Sequence, residues 1–183
     1  MYSDHFQGKY EVELKYRLKS KSDFLDTLHQ MPHETMLEEN AEADRYYDTP
    51  DRALNNQNKI LCIRTMEPSG IKLWIVKGPE PDRCEATNIT DADRASSMLE
   101  TMGYEVALQV EKVRSIYFIG KFHITVDSLE NIGDFAEFAI MTDEEESLSI
   151  YKKELEELAF KFGLTNRNLE TKSYKDMATE ITK

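Results

Sequence analysis

Only two cysteines, Cys62 and Cys84, occur in the 183 residues. Two thiols alone make a poor zinc site. The opening stretch MYSDHFQGKYE lacks the basic-then-apolar form of an export signal. Reduced thiols in a cytoplasmic protein are the expectation. No apolar run approaches the roughly 20 residues of a membrane span, so no membrane partner is expected. Seven glycines and five prolines leave no Pro/Gly/Ser-rich linker, and no internal repeat is visible. One continuous domain over residues 1–183 follows as an expectation. Positive charge is also scarce: 23 Lys and Arg face 35 Asp and Glu, a formal net charge of -12. Such a field repels phosphate in bulk and argues against a protein that coats a nucleic acid polymer. An anionic ligand would have to be met by a local cluster of cations or by a metal.

Hydrophobic residues make up 40% of the chain and aromatics 10%, enough for a substantial core. In KYEVELKYRL (9–18), charged residues alternate with Tyr10, Val12, Leu14 and Tyr16, which predicts a strand. SKSDFLDTLHQM (20–31) predicts a helix capped by Ser20 or Ser22, with Phe24, Leu25, Leu28 and Met31 on one side. The acidic run 38–44 reads as a solvated connection, and 45–50 as a short extended segment ending in a turn. Strands are predicted over 59–66, 72–78 and 83–89, with a hairpin turn at 67–70. A helix over 91–102 follows, capped by Thr90 or Asp91 and stopped by Gly103. Residues 111–140 predict a run of strands. A long helix from Thr142 or Asp143 to about Phe162 carries Leu148, Tyr151, Leu155, Leu158 and Phe162 as one apolar stripe. These leucines could equally serve a dimer interface. A short helix is predicted near 174–181. Seven or eight strands joined by hairpins imply a mostly antiparallel sheet, whose edge problem a closed or nearly closed barrel would solve.

Residues two apart on a strand share a face. Glu11, Glu13 and Lys15 therefore point one way, as do His123, Thr125 and Asp127, and as do Lys112 and Arg114. Arg64 ends LCIR, Lys77 ends LWIVK, and Arg83 and Glu85 share a face. Glu137 stands alone among apolar neighbours in FAEFAI, and a charge there is expensive to bury without a partner. If these faces line one closed sheet, its interior mixes carboxylates with cations. Arg and Lys suit polyphosphate oxygens, and magnesium takes hard carboxylate oxygens and bridges to the same phosphates. His123 could touch substrate or be a neutral wall residue. His5, His29 and His33 carry no assigned role. Trp74, Tyr46 and Tyr47 read as packing residues, and Cys62 and Cys84 as facing the core away from the charged positions.

YEVELK resembles the E-x-E-x-K signature of the CYTH superfamily, which holds class IV adenylyl cyclases and triphosphatases. RYYDTP, LCIR, LWIVKGP, RCEA, VEKVRSIYF, ITVDSLENIGDFAE and KSY follow in the family's order, covering about 9 to 175. GIKLWIVKGP…RCEA and IYFIGKFHITVD look most like the bacterial cyclases. The resemblance implies an α+β fold: an antiparallel, roughly eight-stranded β-barrel, the triphosphate tunnel, with helices packed outside. It implies that Glu11, Glu13, Asp127 and Glu137 hold Mg2+ or Mn2+, and that Lys15 faces phosphate. Arg64, Lys77, Lys112 and Arg114 match phosphate-binding cations, Glu85 a further acid, and Lys172 a basic position near the C-terminus. Lys15 and the four metal-side acids would form the catalytic set. Ala139 stands where many triphosphatase relatives carry a second acid, which favours a cyclase making cyclic AMP and pyrophosphate from ATP. The alternatives are a triphosphatase acting on thiamine triphosphate, inorganic triphosphate or a nucleoside triphosphate, and a non-catalytic polyphosphate-binding module. A homodimer would fit the family.

Overall fold

The computed structural model describes residues 5–181. Eight strands and four α-helices follow one another in the order β1 (Tyr10–Arg17), α1 (Lys21–His29), β2 (Glu34–Asp48), β3 (Ile60–Glu67), β4 (Lys72–Lys77), β5 (Cys84–Asn88), α2 (Ala92–Thr101), β6 (Glu105–Ile119), β7 (Phe122–Leu129), β8 (Gly133–Thr142), α3 (Leu148–Lys161) and α4 (Tyr174–Ile181). Hydrogen bonds join the strands in the order β1-β8-β7-β6-β2-β3-β4-β5. The pairings of β1 with β8, β8 with β7, and β7 with β6 are antiparallel, as are those of β2 with β3, β3 with β4, and β4 with β5. The antiparallel eight-stranded fold with outer helices is thus the one the sequence implies. Its chain gathers into two compact units, Met1–Glu39 with Val113–Lys172, and Asn40–Lys112 with Ser173–Lys183.

In the first unit, strand alternation sends Val12, Leu14 and Tyr16 of β1, Ala136, Phe138 and Ile140 of β8, and Ile124 and Val126 of β7 to one side. α1 covers that side with Phe24 and Leu28, and α3 with Leu155, Leu158 and Ala159. Burying each such aliphatic or aromatic side chain contributes roughly 1.5–3 kcal/mol. α1 begins where Ser20 accepts a hydrogen bond from the Asp23 N–H, the cap expected of it. The apolar stripe of α3 is spent on this core: Leu155 is wholly buried and Leu158 nearly so, so neither is left for a dimer interface. A strap at 168–170 covers the outer edge of β1, with the Arg17 N–H donating to the Asn168 carbonyl and the Glu170 N–H to that of Lys15. It blunts an edge that would otherwise invite strand addition.

In the second unit, α2 packs on Tyr47, Leu61 and Ile63 through Ala92, Ala95 and Leu99, with Trp74 against them. Asp91 caps α2 by accepting from the Arg94 N–H. Here the structure corrects two readings. Residues 38–44 are not a solvated connection but part of β2, whose alternation buries Asn40, Glu42 and Asp44. Cys62 and Cys84 do not lie under α2. Cys62 is two residues from Arg64 on β3 and opposite Ile75, while Cys84 sits opposite Lys77. Neither thiol is in a disulfide, and both are buried in a small cluster with Ile75, beside Tyr46, Ile60 and Leu73, on the charged side of the strands.

Candidate active site

β1 presents Glu11, Glu13 and Lys15 opposite Met141, Ala139 and Glu137 of β8. β8 in turn sets Glu137 opposite Thr125 and Ala139 opposite His123 on β7, and β6 places Arg114 opposite Asp127. Antiparallel partners share a face, so the register gathers these side chains on the side away from α1 and α3.

The contacts follow from that register. Arg114 forks onto Asp127, with Nε to Oδ1 and Nη2 to Oδ2 both at 2.6 Å, and Nη2 also donates to Glu137 Oε2 at 2.7 Å. Thr125 Oγ1 donates to the same Glu137 oxygen at 3.1 Å, and Lys15 Nζ stands 3.8 Å from its Oε1. His123 Nε2 lies 3.6 Å from Glu11 Oε1. Lys15, Arg114, Asp127 and Glu137 are all under 10% exposed. The lone charge of FAEFAI therefore sits on a polar wall with two cationic partners.

A second cluster lies within the second unit. Arg64 reaches Asp44 with Nε at 2.7 Å and Nη2 at 2.8 Å, and Lys112 Nζ donates to Asp44 Oδ2 at 3.0 Å. Both cations also pair with Glu42, Arg64 Nε at 2.9 Å and Lys112 at contact distance. Tyr46 donates to Asp44, and Lys112 lies 5.4 Å over the ring of Tyr174 at the start of α4. Burial would raise the Asp44 carboxyl, but the attraction of Arg64 and Lys112 and their hydrogen bonds outweigh it and hold it well below the usual carboxylate range. Burial first, then the Asp44 charge, pushes the Tyr46 hydroxyl well up. Glu42 and Asp44 are site residues that composition hid. The signal was the period-two pattern Asn40, Glu42, Asp44, Tyr46, with Ala41, Ala43 and Arg45 between.

A depressed carboxyl stabilises the fold fully above its unfolded value near 3.9 and loses that contribution as pH falls through the folded value. Asp44→Asn should cost about 1.5–3 kcal/mol at pH 7, because Arg64 and Lys112 lose one of the two acids they share and keep Glu42. It should also flatten the decline of stability expected of the unsubstituted protein below about pH 4. Urea unfolding at a series of pH values checks both, and parallel curves for the two proteins would contradict the account.

Two predicted positions stand apart. Glu85 lies opposite Val76, on the other side of β4 from Lys77, and is exposed with Arg83 as its partner at 2.8 Å. Strand offset, not residue type, turns it away. Lys172 is exposed just beyond the strap, its N–H donating to Glu170 Oε1 at 3.0 Å. Lys77 ends β4 opposite Ile60, on the side of Arg64 and Cys62.

Among the described residues, no three Asp, Glu, His or Cys side chains gather into a metal cage. Magnesium does not demand one. It takes one or two carboxylates and completes its shell with water and substrate phosphates. The hard oxygens of Glu11 and Glu13, adjacent on one strand face, fit that donor set, whereas both Asp127 oxygens already receive Arg114.

Residues 9–174 match the CYTH domain. Over 180 residues the chain is 56% identical to adenylate cyclase CyaB of Aeromonas hydrophila, covering 98% of this chain and 94% of that protein. A Vibrio parahaemolyticus protein of known crystal structure is 55% identical and superposes with a TM-score of 0.92 over 94% of this chain and 99% of its own. A Pyrococcus horikoshii protein at 26% identity superposes with a TM-score of 0.81, covering 94% and 99% respectively.

Proposed function

The chain belongs to the CYTH family, and from that premise we propose that it is a class IV adenylyl cyclase converting ATP to cyclic AMP and pyrophosphate. The observation that carries the reading is a strand face where Lys15 and Arg114 are buried among acids in a protein of net charge -12. Cations concentrated against the overall field suit a polyphosphate. The preference for cyclase over triphosphatase rests on the 56% identity to the Aeromonas cyclase.

In this reaction the ribose 3′-hydroxyl attacks the α-phosphorus in line. The O3′–P bond forms as the bond from the α-phosphorus to the bridging oxygen breaks, the hydroxyl proton passes to solvent, and pyrophosphate leaves. Lys15 and Arg114 donate to phosphate oxygens and take up charge on the leaving group. Arg64, Lys77 and Lys112 are assigned phosphate contacts as well. Asp127 and Glu137 are positioning residues: they fix the plane of the Arg114 guanidinium, and Thr125 fixes Glu137. Glu11 and Glu13 would hold Mg2+ or Mn2+, which when bound supplies a Lewis acid that lowers the pKa of the 3′-hydroxyl and neutralises phosphate charge. Work in the cytoplasm, which the reduced thiols of Cys62 and Cys84 suit, and a homodimeric state belong to the same proposal.

Incubation with ATP and magnesium, then manganese, with products separated by chromatography, tests it. Cyclic AMP and pyrophosphate are expected. ADP and orthophosphate would replace the cyclase with a triphosphatase.

A further inference from the structure

α1 ends at His29, and His33 follows in the loop before β2. The chemistry above uses neither. Their ring centroids lie 5.5 Å apart, with the planes tilted by 38°. Both rings stand steeply on the ring of Tyr117 in β6, His29 at 6.5 Å and 79°, His33 at 6.0 Å and 74°. Tyr117 is buried, and its hydroxyl donates to Glu38 Oε1 at 2.9 Å, so the platform beneath the two imidazoles is fixed. Burial first, then that hydrogen bond, pushes the phenol up, so Tyr117 stays protonated and supports the pair without ligating. The group lies on the opposite side of the sheet from the candidate active site. Tyr117, Ile124, Phe138 and Leu14 are register partners across β6, β7, β8 and β1, on the side that α1 and α3 cover.

His33 Nδ1 lies 2.9 Å from the Met31 carbonyl oxygen. A carbonyl only accepts, so Nδ1 carries the proton and Nε2 of the neutral ring keeps its lone pair. Metal-binding histidines are oriented in this way, one ring nitrogen donating to a carbonyl and the other facing the ion. The spacing agrees. His29 and His33 are separated by Gln30, Met31 and Pro32, and histidines three to five residues apart are a common zinc-ligand spacing. Two imidazoles bound to one ion at about 2.1 Å have centroids within about 6.5 Å of each other, a condition this pair meets. Pro32 stiffens the link between them. We infer that His29 and His33 form a second metal site, a histidine pair for a transition-metal dication of the Zn2+, Ni2+ and Cu2+ class. Imidazole suits these ions, whereas magnesium takes oxygen, so the site differs from Glu11 and Glu13 in chemistry as well as in place. Among the described residues no third ligating side chain joins the pair, so water completes the shell. With little geometry imposed, affinity follows the intrinsic order, and Cu2+ binds most tightly.

The test adds one equivalent of Cu2+ to the protein in excess magnesium and counts ligating nitrogens by electron paramagnetic resonance. Two are expected. His29→Ala and His33→Ala should each leave one, and should each weaken Zn2+, titrated calorimetrically in excess magnesium, at least about tenfold. His29 is exposed, so its replacement opens no cavity and its effect is not one of folding. The chain's other histidines, His5 beside Phe118 and His123 beside Glu11, serve as controls. His5→Ala and His123→Ala should keep the two-nitrogen signal. Initial rates with ATP and magnesium should be unchanged in His29→Ala, because the pair lies away from the charged strand face. A two-nitrogen signal that survives both His29→Ala and His33→Ala, or that disappears in His123→Ala, overturns the inference. So does Zn2+ binding of equal strength in wild type and His29→Ala.

Discussion

Glu13→Ala is expected to lower cyclic AMP formation about 10²–10³-fold while leaving the fold intact. The strand itself explains why the two effects separate. β1 is held by Val12, Leu14 and Tyr16, which face α1 and α3, and by its ladder to β8. Glu13 points the other way, opposite Ala139, and is only half-buried. Its removal leaves no cavity in the core and no buried cation stripped of both its partners, since Lys15 and Arg114 keep Glu137. What goes is one of the two carboxylates assigned to the metal. Glu13→Gln preserves the volume and removes only the charge, so it should fail as badly as alanine. Initial rates with ATP, alongside thermal unfolding followed by circular dichroism, measure both halves. A substituted protein that retains more than a tenth of the rate would remove Glu13 from the chemistry.

How far such residues can be read without coordinates depends on what each pattern constrains. Period-two alternation in KYEVELKYRL fixes which residues share a face of β1, and the structure places them so. The stripe of α3 was legible for the same reason, because a 3.6-residue period survives any neighbour. Its start was not: residues Glu145–Ser147 form a 3-10 turn, and α3 begins only at Leu148. Composition misled at 38–44, where three glutamates and an aspartate look solvated although Asn40, Glu42 and Asp44 are buried, the two acids against Arg64 and Lys112. Glu85 shows the limit of alternation. Whether it shares a face with Lys77 depends on the offset between β4 and β5, and no pattern within either strand carries that offset. Cys62 was within reach, since it is two residues from Arg64 on the same strand.

Arg114 governs the second large effect, and here folding and catalysis fall together. Asp127 is wholly buried and Glu137 nearly so. One guanidinium meets both, with three bonds between 2.6 and 2.7 Å. Arg114→Met keeps the length of the side chain and removes the charge. It takes the guanidinium from two buried carboxylates, leaving Glu137 with Lys15 and Thr125 and Asp127 without its fork, and should cost about 3–5 kcal/mol. For a chain of this size that is a fall in melting temperature of roughly 6–20 °C. Arg114→Lys keeps a charge but offers a point donor in place of a planar fork, and so should recover only part of the stability. Adding Asp127→Asn and Glu137→Gln to Arg114→Met removes the stranded charges and should return much of the lost melting temperature. The same triple replacement should remain inactive, because the phosphate donor is still missing. Recovery of stability without recovery of turnover separates the two roles of Arg114. A triple variant no more stable than Arg114→Met would mean that packing, rather than charge balance, holds this face together.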